Sequence, residues 1–254
     1  MKRHLFICSI LIIICLLVLQ CSSSEEKISI SIDRYAQPDN ITCGPTSLRM
    51  VMNYYGKEVS HSDVMEHFTI FPGIGVLDPH IAMAAMNYGF DVKIISYNYR
   101  VIHPSWESLS SDMLLNKLQD YMPEITNYKD SVSASGYINY LKRGGRIEYY
   151  PLSKELIVSY LQKGQLVIAA LDMEYLYEGT VEWSAAKPEH STHFVVVHGY
   201  DPGTGKFEIS DPWYEVTVPN ENGHYFVPTA RLITAILLGF QVNDADLIII
   251  DLPK

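Results

Sequence analysis

The chain has 254 residues, 48% of them apolar and 19% charged, and a formal net charge of −10. That length accommodates one domain or two small ones around a sizeable core. The acidic balance, 29 Asp and Glu against 19 Lys and Arg, argues against nucleic acid or an anionic lipid surface as the main partner. With 18 Tyr, 8 Phe and 3 Trp, low-complexity disorder is excluded, as composition also excludes collagen-like, coiled-coil and multi-span membrane chains.

Lys2 and Arg3 precede an apolar run from Leu5 to Leu19 that only Ser9 interrupts. The run is shorter than the roughly 20 residues a spanning helix needs, so residues 1–20 are expected to be a secretory signal. Cys21 follows, and then Ser22-Ser23-Ser24-Glu25-Glu26. An apolar segment ending in Cys and a polar stretch resembles a bacterial lipoprotein signal. That implies lipidation of Cys21, a tether over 21–32, and export to the cell envelope with a lipid anchor in a membrane. Gln20 departs from the small residue this pattern prefers, which leaves plain secretion and an uncleaved anchor as the alternatives. Loss of residues 1–20 removes two cations, so the mature charge becomes −10 − 2 = −12. It also removes Cys8 and Cys15, leaving Cys43 as the one free thiol and excluding an internal disulfide framework.

Past the tether, one domain over 33–254 is the simplest reading. Leu48, Val51, Met52 and Tyr55 recur at helical spacing, so a helix is expected over 45–55, with Gly56 as its stop. Ser60 and Asp63 have the spacing of a capping pair for a short helix. Asp78-Pro79 opens another helix, which Gly89 closes. Within 97–150 a helix is expected at 113–122, and the polar, Tyr-rich remainder is either a binding insertion or a surface loop. Ser153 starts a helix that ends at Gly164. Short apolar or alternating runs at 166–171, 194–199, 206–210 and 247–250 read as strands. Helices first and antiparallel strands later point to an α+β fold.

Cys43 stands where a helix should begin, immediately before Gly44 and Pro45. There the macrodipole and unpaired N–H groups favour a thiolate, the nucleophilic form, and Gly44 would leave room for a substrate. A small, inert buried cysteine is the bland alternative. Further on, Thr192–Gly199 and Lys206–Ser210 flank Asp201-Pro202-Gly203-Thr204-Gly205, so a hairpin is expected. A turn centred near 202 pairs positions summing to 404, which sets Asp211 opposite His193 and lets the carboxylate hold the imidazole. His198 falls on the other face and reads as structural. The same alternation keeps His190, His193 and His198 from converging on zinc, and neither a His-Glu-x-x-His helix nor a Cys-x-x-Cys pair is present. Gly203-Thr204-Gly205-Lys206 is not a phosphate loop, because Tyr200 and Phe207 occupy its flanking Gly and Ser/Thr positions.

Gln37 six residues before Cys43, the stretch Cys43-Gly44-Pro45-Thr46-Ser47 running on to Asn53-Tyr54-Tyr55-Gly56, and His193-Phe194-Val195-Val196-Val197 with Asp211-Pro212 together resemble one family. It is the bacteriocin-processing, double-glycine-cleaving peptidase family and its stand-alone relatives, among the papain-like cysteine peptidases. The resemblance covers about 37–56 and 155–213. It implies a papain-like α+β fold, with an N-terminal helical part carrying the Cys and an antiparallel sheet carrying His and Asp. Cys43 would be the nucleophile, His193 the base and then acid, Asp211 its orienter, and Gln37 with the Cys43 N–H the oxyanion hole. An exported thiol hydrolase acting on a peptide or protein substrate, without metal or organic cofactor, is the leading expectation. An acyltransferase on the same triad and a non-catalytic surface-binding lipoprotein are its rivals.

Overall fold

The computed structural model describes residues 26–177, 191–213, 223–240 and 245–253. The signal segment, Cys21 and His190 lie outside them, so the expected signal, its lipidated cysteine and that histidine are not described. In chain order the elements are β1 (Ile28–Ser29), α1 (Cys43–Tyr54), α2 (His61–Met65), α3 (Asp78–Asn87), β2 (Asp91–Ser96), α4 (Ser111–Tyr121), α5 (Tyr128–Lys142) and β3 (Arg146–Glu148). The second half adds α6 (Lys154–Leu161), β4 (Val167–Asp172), α7 (Met173–Leu176), β5 (Thr192–Asp201), β6 (Lys206–Ser210), β7 (His224–Pro228), α8 (Thr229–Gly239) and β8 (Asp246–Asp251). Among the described residues no helix is long and apolar enough to cross a membrane.

The strands form one sheet in the order β3-β2-β8-β4-β5-β6-β7, with β1 laid against the far end of β5. All neighbours are antiparallel except β2 and β3. Both faces are covered, which is why β4 is buried along its whole length. On one face α1, α3 and α5 bring Leu48, Val51, Ile81, Ala85 and Tyr137 onto Ile94, Ile168, Phe194 and Val196. On the other, α6 and α8 pack Ile157, Leu161, Leu232 and Ile236 onto Val167, Leu171, Val195 and Ile249. Alternate residues of β5 thus feed two separate cores, as a period of two requires.

Local signals explain where the helices start and stop. Ser60 Oγ accepts from the Asp63 N–H and Asp63 Oδ2 accepts from the Ser60 N–H, the reciprocal box expected from their spacing. Ser153 Oγ accepts from the Leu156 N–H at the head of α6. Gly56, Gly89 and Gly164, each at positive φ, follow α1, α3 and α6.

Several elements were not foreseen. Part of the stretch expected as a tether over 21–32 is built into the sheet: Ile28 and Ser29 pair with Tyr200 and Gly199, and the Ile30 N–H donates to the His198 carbonyl. Ile30 and Ile32 pack on the core, and that burial holds the segment down. The insertion over 97–150 contains helix α5 and strand β3 rather than a plain loop. Small residues along α5 let it meet α3 closely, since a Cβ on Gly136 would lie 2.6 Å from Pro79 Cγ. The hairpin register also differs. Val196 faces Ser210 and Val197 faces Ile209, and a bulge at His198 then shifts the ladder so that Gly199 faces Glu208.

The turn from α5 into β3 is a sensitive point. A Cβ on Gly145 would lie 2.5 Å from the ring of Tyr140, a fully buried side chain whose hydroxyl donates to the Val92 carbonyl at 2.8 Å. The ring cannot swing away without losing that bond. Gly145→Ala should therefore destabilise the fold by about 1–3 kcal/mol, read as a lower urea midpoint with an unchanged slope.

Candidate active site

Cys43 is the first residue of α1, half-buried, and its backbone heads a helix with no acidic residue in the first turn. The loop that delivers it is wound on Asp39. Asp39 Oδ1 accepts from the Ile41 N–H and the Thr42 hydroxyl, both at 2.9 Å. The Asp39 carbonyl in turn accepts from Gln37 Nε2 at 2.5 Å. The Gly44 expectation needs correction: this residue is buried, and a Cβ there would lie 2.7 Å from Ile81 Cδ1 and 3.3 Å from Phe194. Glycine serves the close packing of α1 against α3 and β5, not substrate entry.

His193 lies near the start of β5, 1% exposed, and its side chain is close enough to Cys43 for the two to interact electrostatically. Its Nε2 lies 2.8 Å from Asp211 Oδ1. The pairing of His193 with Asp211 was expected, but the geometry behind it was not. The observed ladder, with its bulge, would not set Asp211 opposite His193; the chain leaves β6 after Ser210, and Asp211 reaches the imidazole from the following turn. The N-terminal segment holds that turn. Arg34 donates to the Asp211 carbonyl through Nε at 2.9 Å and to the Trp213 carbonyl through Nη2 at 2.7 Å. The Gln37 N–H donates to the Pro212 carbonyl at 2.8 Å.

Asp211 is wholly buried, and both of its oxygens are occupied. Oδ1 also accepts from the Trp213 N–H at 2.8 Å, and Oδ2 accepts from the hydroxyls of Tyr177 and Tyr225, each at 2.6 Å. Burial alone would raise its pKa, but His193 and the two tyrosine hydroxyls hold it below the usual carboxylate range. Burial alone would likewise lower His193; the Asp211 carboxylate, with Cys43 beside it, instead raises the imidazole above its ordinary range. Arg34, Tyr177 and Tyr225 carry no sequence motif. Only the three-dimensional convergence on Asp211 identifies them.

A cavity of about 410 Å³ opens beside the thiol, lined by Cys43, Asn40, Lys129, Thr192, Phe194 and the loop 70–77. That loop is a tight turn closed by a Phe71–Gly75 bridge, with Gly73 and Gly75 at positive φ. His198 is confirmed apart from this centre: its Nδ1 bonds the Ile30 carbonyl at 2.8 Å and its Nε2 lies 3.4 Å from His224 Nδ1.

A half-buried thiol at a helix start, an imidazole against it and a buried carboxylate behind define a cysteine peptidase-like enzyme. The chain belongs to the Peptidase C39-like family, whose model matches residues 29–225. Its mixed sheet-and-helix architecture is the α+β, papain-like one of that family. Similar solved structures include the peptidase domain of Streptococcus ComA, a bifunctional ABC transporter of a quorum-sensing pathway (15% identity, 89% of this chain, 99% of that one, TM-score 0.44). Another is a double glycine motif protease of an AMS/PCAT transporter in complex with its leader peptide (15%, 89% and 98%, 0.42). A third is xylellain, a cysteine protease of Xylella fastidiosa (13%, 90% and 86%, 0.42). No curated protein matches the sequence.

Two predictions follow from the Asp211 cluster. Tyr177→Phe and Tyr225→Phe each remove one donor from Oδ2, so the carboxyl should regain protons at higher pH. The acid limb of Cys43 alkylation by iodoacetamide should move upward in both variants, most in the double variant, whereas a merely structural loss would lower the rate without moving the limb. The second prediction concerns stability. Asp211, lowered on folding, stabilises above about pH 4 and loses this as pH falls. His193, raised on folding, stabilises fully below about pH 6.5 and loses this as pH rises through its folded value. The stability gap between wild type and Asp211→Asn should thus be widest between about pH 4 and 6.5, at about 3–5 kcal/mol by chemical denaturation.

Proposed function

We propose that the protein is an exported thiol hydrolase that cleaves peptide or amide bonds with Cys43 as nucleophile. The observation that carries this reading is the position of His193, in contact with Cys43 on one side and 2.8 Å from buried Asp211 on the other. The Cys43 sulfur attacks the scissile carbonyl and the imidazolium gives its proton to the departing amine, leaving a thioester. His193 then takes a proton from water as the hydroxide adds, and the carboxylic acid departs with the thiol restored. Asp211 keeps the ring oriented and stabilises its protonated form. A positive imidazole beside the sulfur also supplies the counter-charge for a thiolate.

The developing oxyanion is assigned to the Cys43 N–H and Gln37. One hydrogen of Gln37 Nε2 is held by the Asp39 carbonyl, which fixes the amide and leaves its second hydrogen for the substrate oxygen. Loss of that donor in Gln37→Ala should lower kcat by about 10²–10³. Cys43→Ala should abolish turnover of a peptide library followed by mass spectrometry of new termini. His193→Ala should slow iodoacetamide labelling of Cys43 below pH 7. Labelling that is indifferent to His193 would sink the catalytic reading, and ligation products with an added amine would turn it toward acyl transfer.

The export reading rests on the basic start, the apolar run from Leu5 to Leu19 and Cys21. Mass spectrometry of the mature N-terminus should find a lipid on Cys21, and an unmodified N-terminus at any other residue would refute the anchor.

A further inference from the structure

A second cavity, of about 360 Å³, is lined by Ser96, Tyr97, Tyr99, Glu107, Tyr149, Tyr150, Pro151, Leu152 and Leu237. Four tyrosines and one carboxylate are therefore gathered there, and among the described residues no Lys, Arg or His lines it. Most of the lining comes from the stretch after β2 and after β3, the part of the chain whose role the sequence left open. Leu237 closes it from α8.

Three observations bear on its occupant. Tyr97 is 6% exposed, and the buried hydroxyls of Tyr97 and Tyr149 have no hydrogen-bond partner among the described residues. Such groups are costly to bury empty-handed. The local field is negative: burial raises the pKa of both hydroxyls, Asp246 raises it further, and Glu107 adds to this at Tyr149. Asp246 itself is wholly buried, and its donors among the described residues are neutral: the Tyr97 N–H, Ser96 and the Tyr137 hydroxyl. The nearby Lys93 is already committed to Glu148 at 3.1 Å, and Arg100 to Asp130 at 2.8 Å. An anion would meet the Glu107 carboxylate in the lining and the field of buried Asp246 behind it. A planar or compact cation would meet aromatic rings, hydroxyl oxygens able to accept, and Glu107.

We propose that this cavity binds an organic cation, a guanidinium or alkylammonium group. Its place in the sheet connects it with the thiol. Ser96 pairs with Asp246, Leu247 with Ala169, and Leu171 with His193, so the cavity mouth lies at the His193 end of the sheet. Three strand spacings separate β2 from β5, about 14 Å, or roughly four residues of extended chain. A basic side chain on a bound peptide and a free organic base present the same chemistry to it.

The test uses the full chain in mild detergent carrying Cys43→Ala, so that its outcome is independent of catalysis. Binding of Nα-acetylarginine amide, the uncharged isostere Nα-acetylcitrulline amide and butylguanidine would be followed by NMR. Saturable binding of the arginine amide is expected, with shifts at Tyr99 and Leu237. The citrulline amide should bind about tenfold more weakly or worse, and Glu107→Gln and Tyr99→Ala, both at exposed positions, should each weaken the arginine amide several-fold. Butylguanidine binding as tightly as the arginine amide would support a free base as the ligand, and weaker binding a peptide side chain. Equal binding of the citrulline amide, an unchanged affinity in Glu107→Gln, shifts confined to the cavity at Cys43, or no binding would each overturn the proposal.

Discussion

A carboxylate with no exposed surface can persist only if every lone pair finds a donor, and Asp211 shows how much of the chain that requires. His193, Tyr177, Tyr225 and the Trp213 N–H all donate to it, and they come from β5, the end of α7, β7 and the turn after β6. Its own carbonyl is gripped by Arg34 from the N-terminal segment. Removing the charge, or any large part of this shell, would leave buried polar groups unpaired. The arrangement converts a single desolvated charge into a convergence point for five segments.

The thiol side is built on a different principle. There the control is steric: Gly44 brings the head of α1 against Ile81 and Phe194, and Asp39 winds the preceding loop so that Cys43 is the first helical residue. β5 joins the two sides. Phe194 faces the α1 core while its neighbour His193 faces the Asp211 cluster. A one-residue slip of this strand would exchange them, and the continuous burial of both faces is what forbids it.

The sequence was most legible where chemistry is local. The capping pair Ser60 and Asp63, the stops at Gly56 and Gly164, and the strands at 206–210 and 247–250 depend on neighbours a few residues apart. That His193 would meet Asp211 was legible from residue order and context. Their geometry was not, because the bulge at His198 lies against Ile30 and the exit of the chain after Ser210 is held by Arg34 and Gln37, all from a distant N-terminal segment. Helix α5 was obscured for a physical reason as well: its Ser, Ala and Gly positions serve a close crossing with α3, which erases the usual amphipathic pattern. Strand β2 does alternate, Asp91 and Lys93 against Val92 and Ile94, yet it precedes an insertion that drew it out of context. The shell of Arg34, Tyr177 and Tyr225 has no spacing rule at all.

The clasp between Arg34 and the turn at Asp211 and Trp213 spans 177 and 179 residues of sequence. Chain synthesis and any threading through a membrane proceed from the N-terminus, so Arg34 emerges long before its partners exist. Local helices such as α1 can form early, but closing so long a loop must wait for β5, β6 and β7. The imidazole and carboxylate therefore reach the cysteine only when nearly the whole polypeptide is available. Order of emergence acts as a timer: the centre stays unassembled while the chain is incomplete, and comes together in the last act of folding.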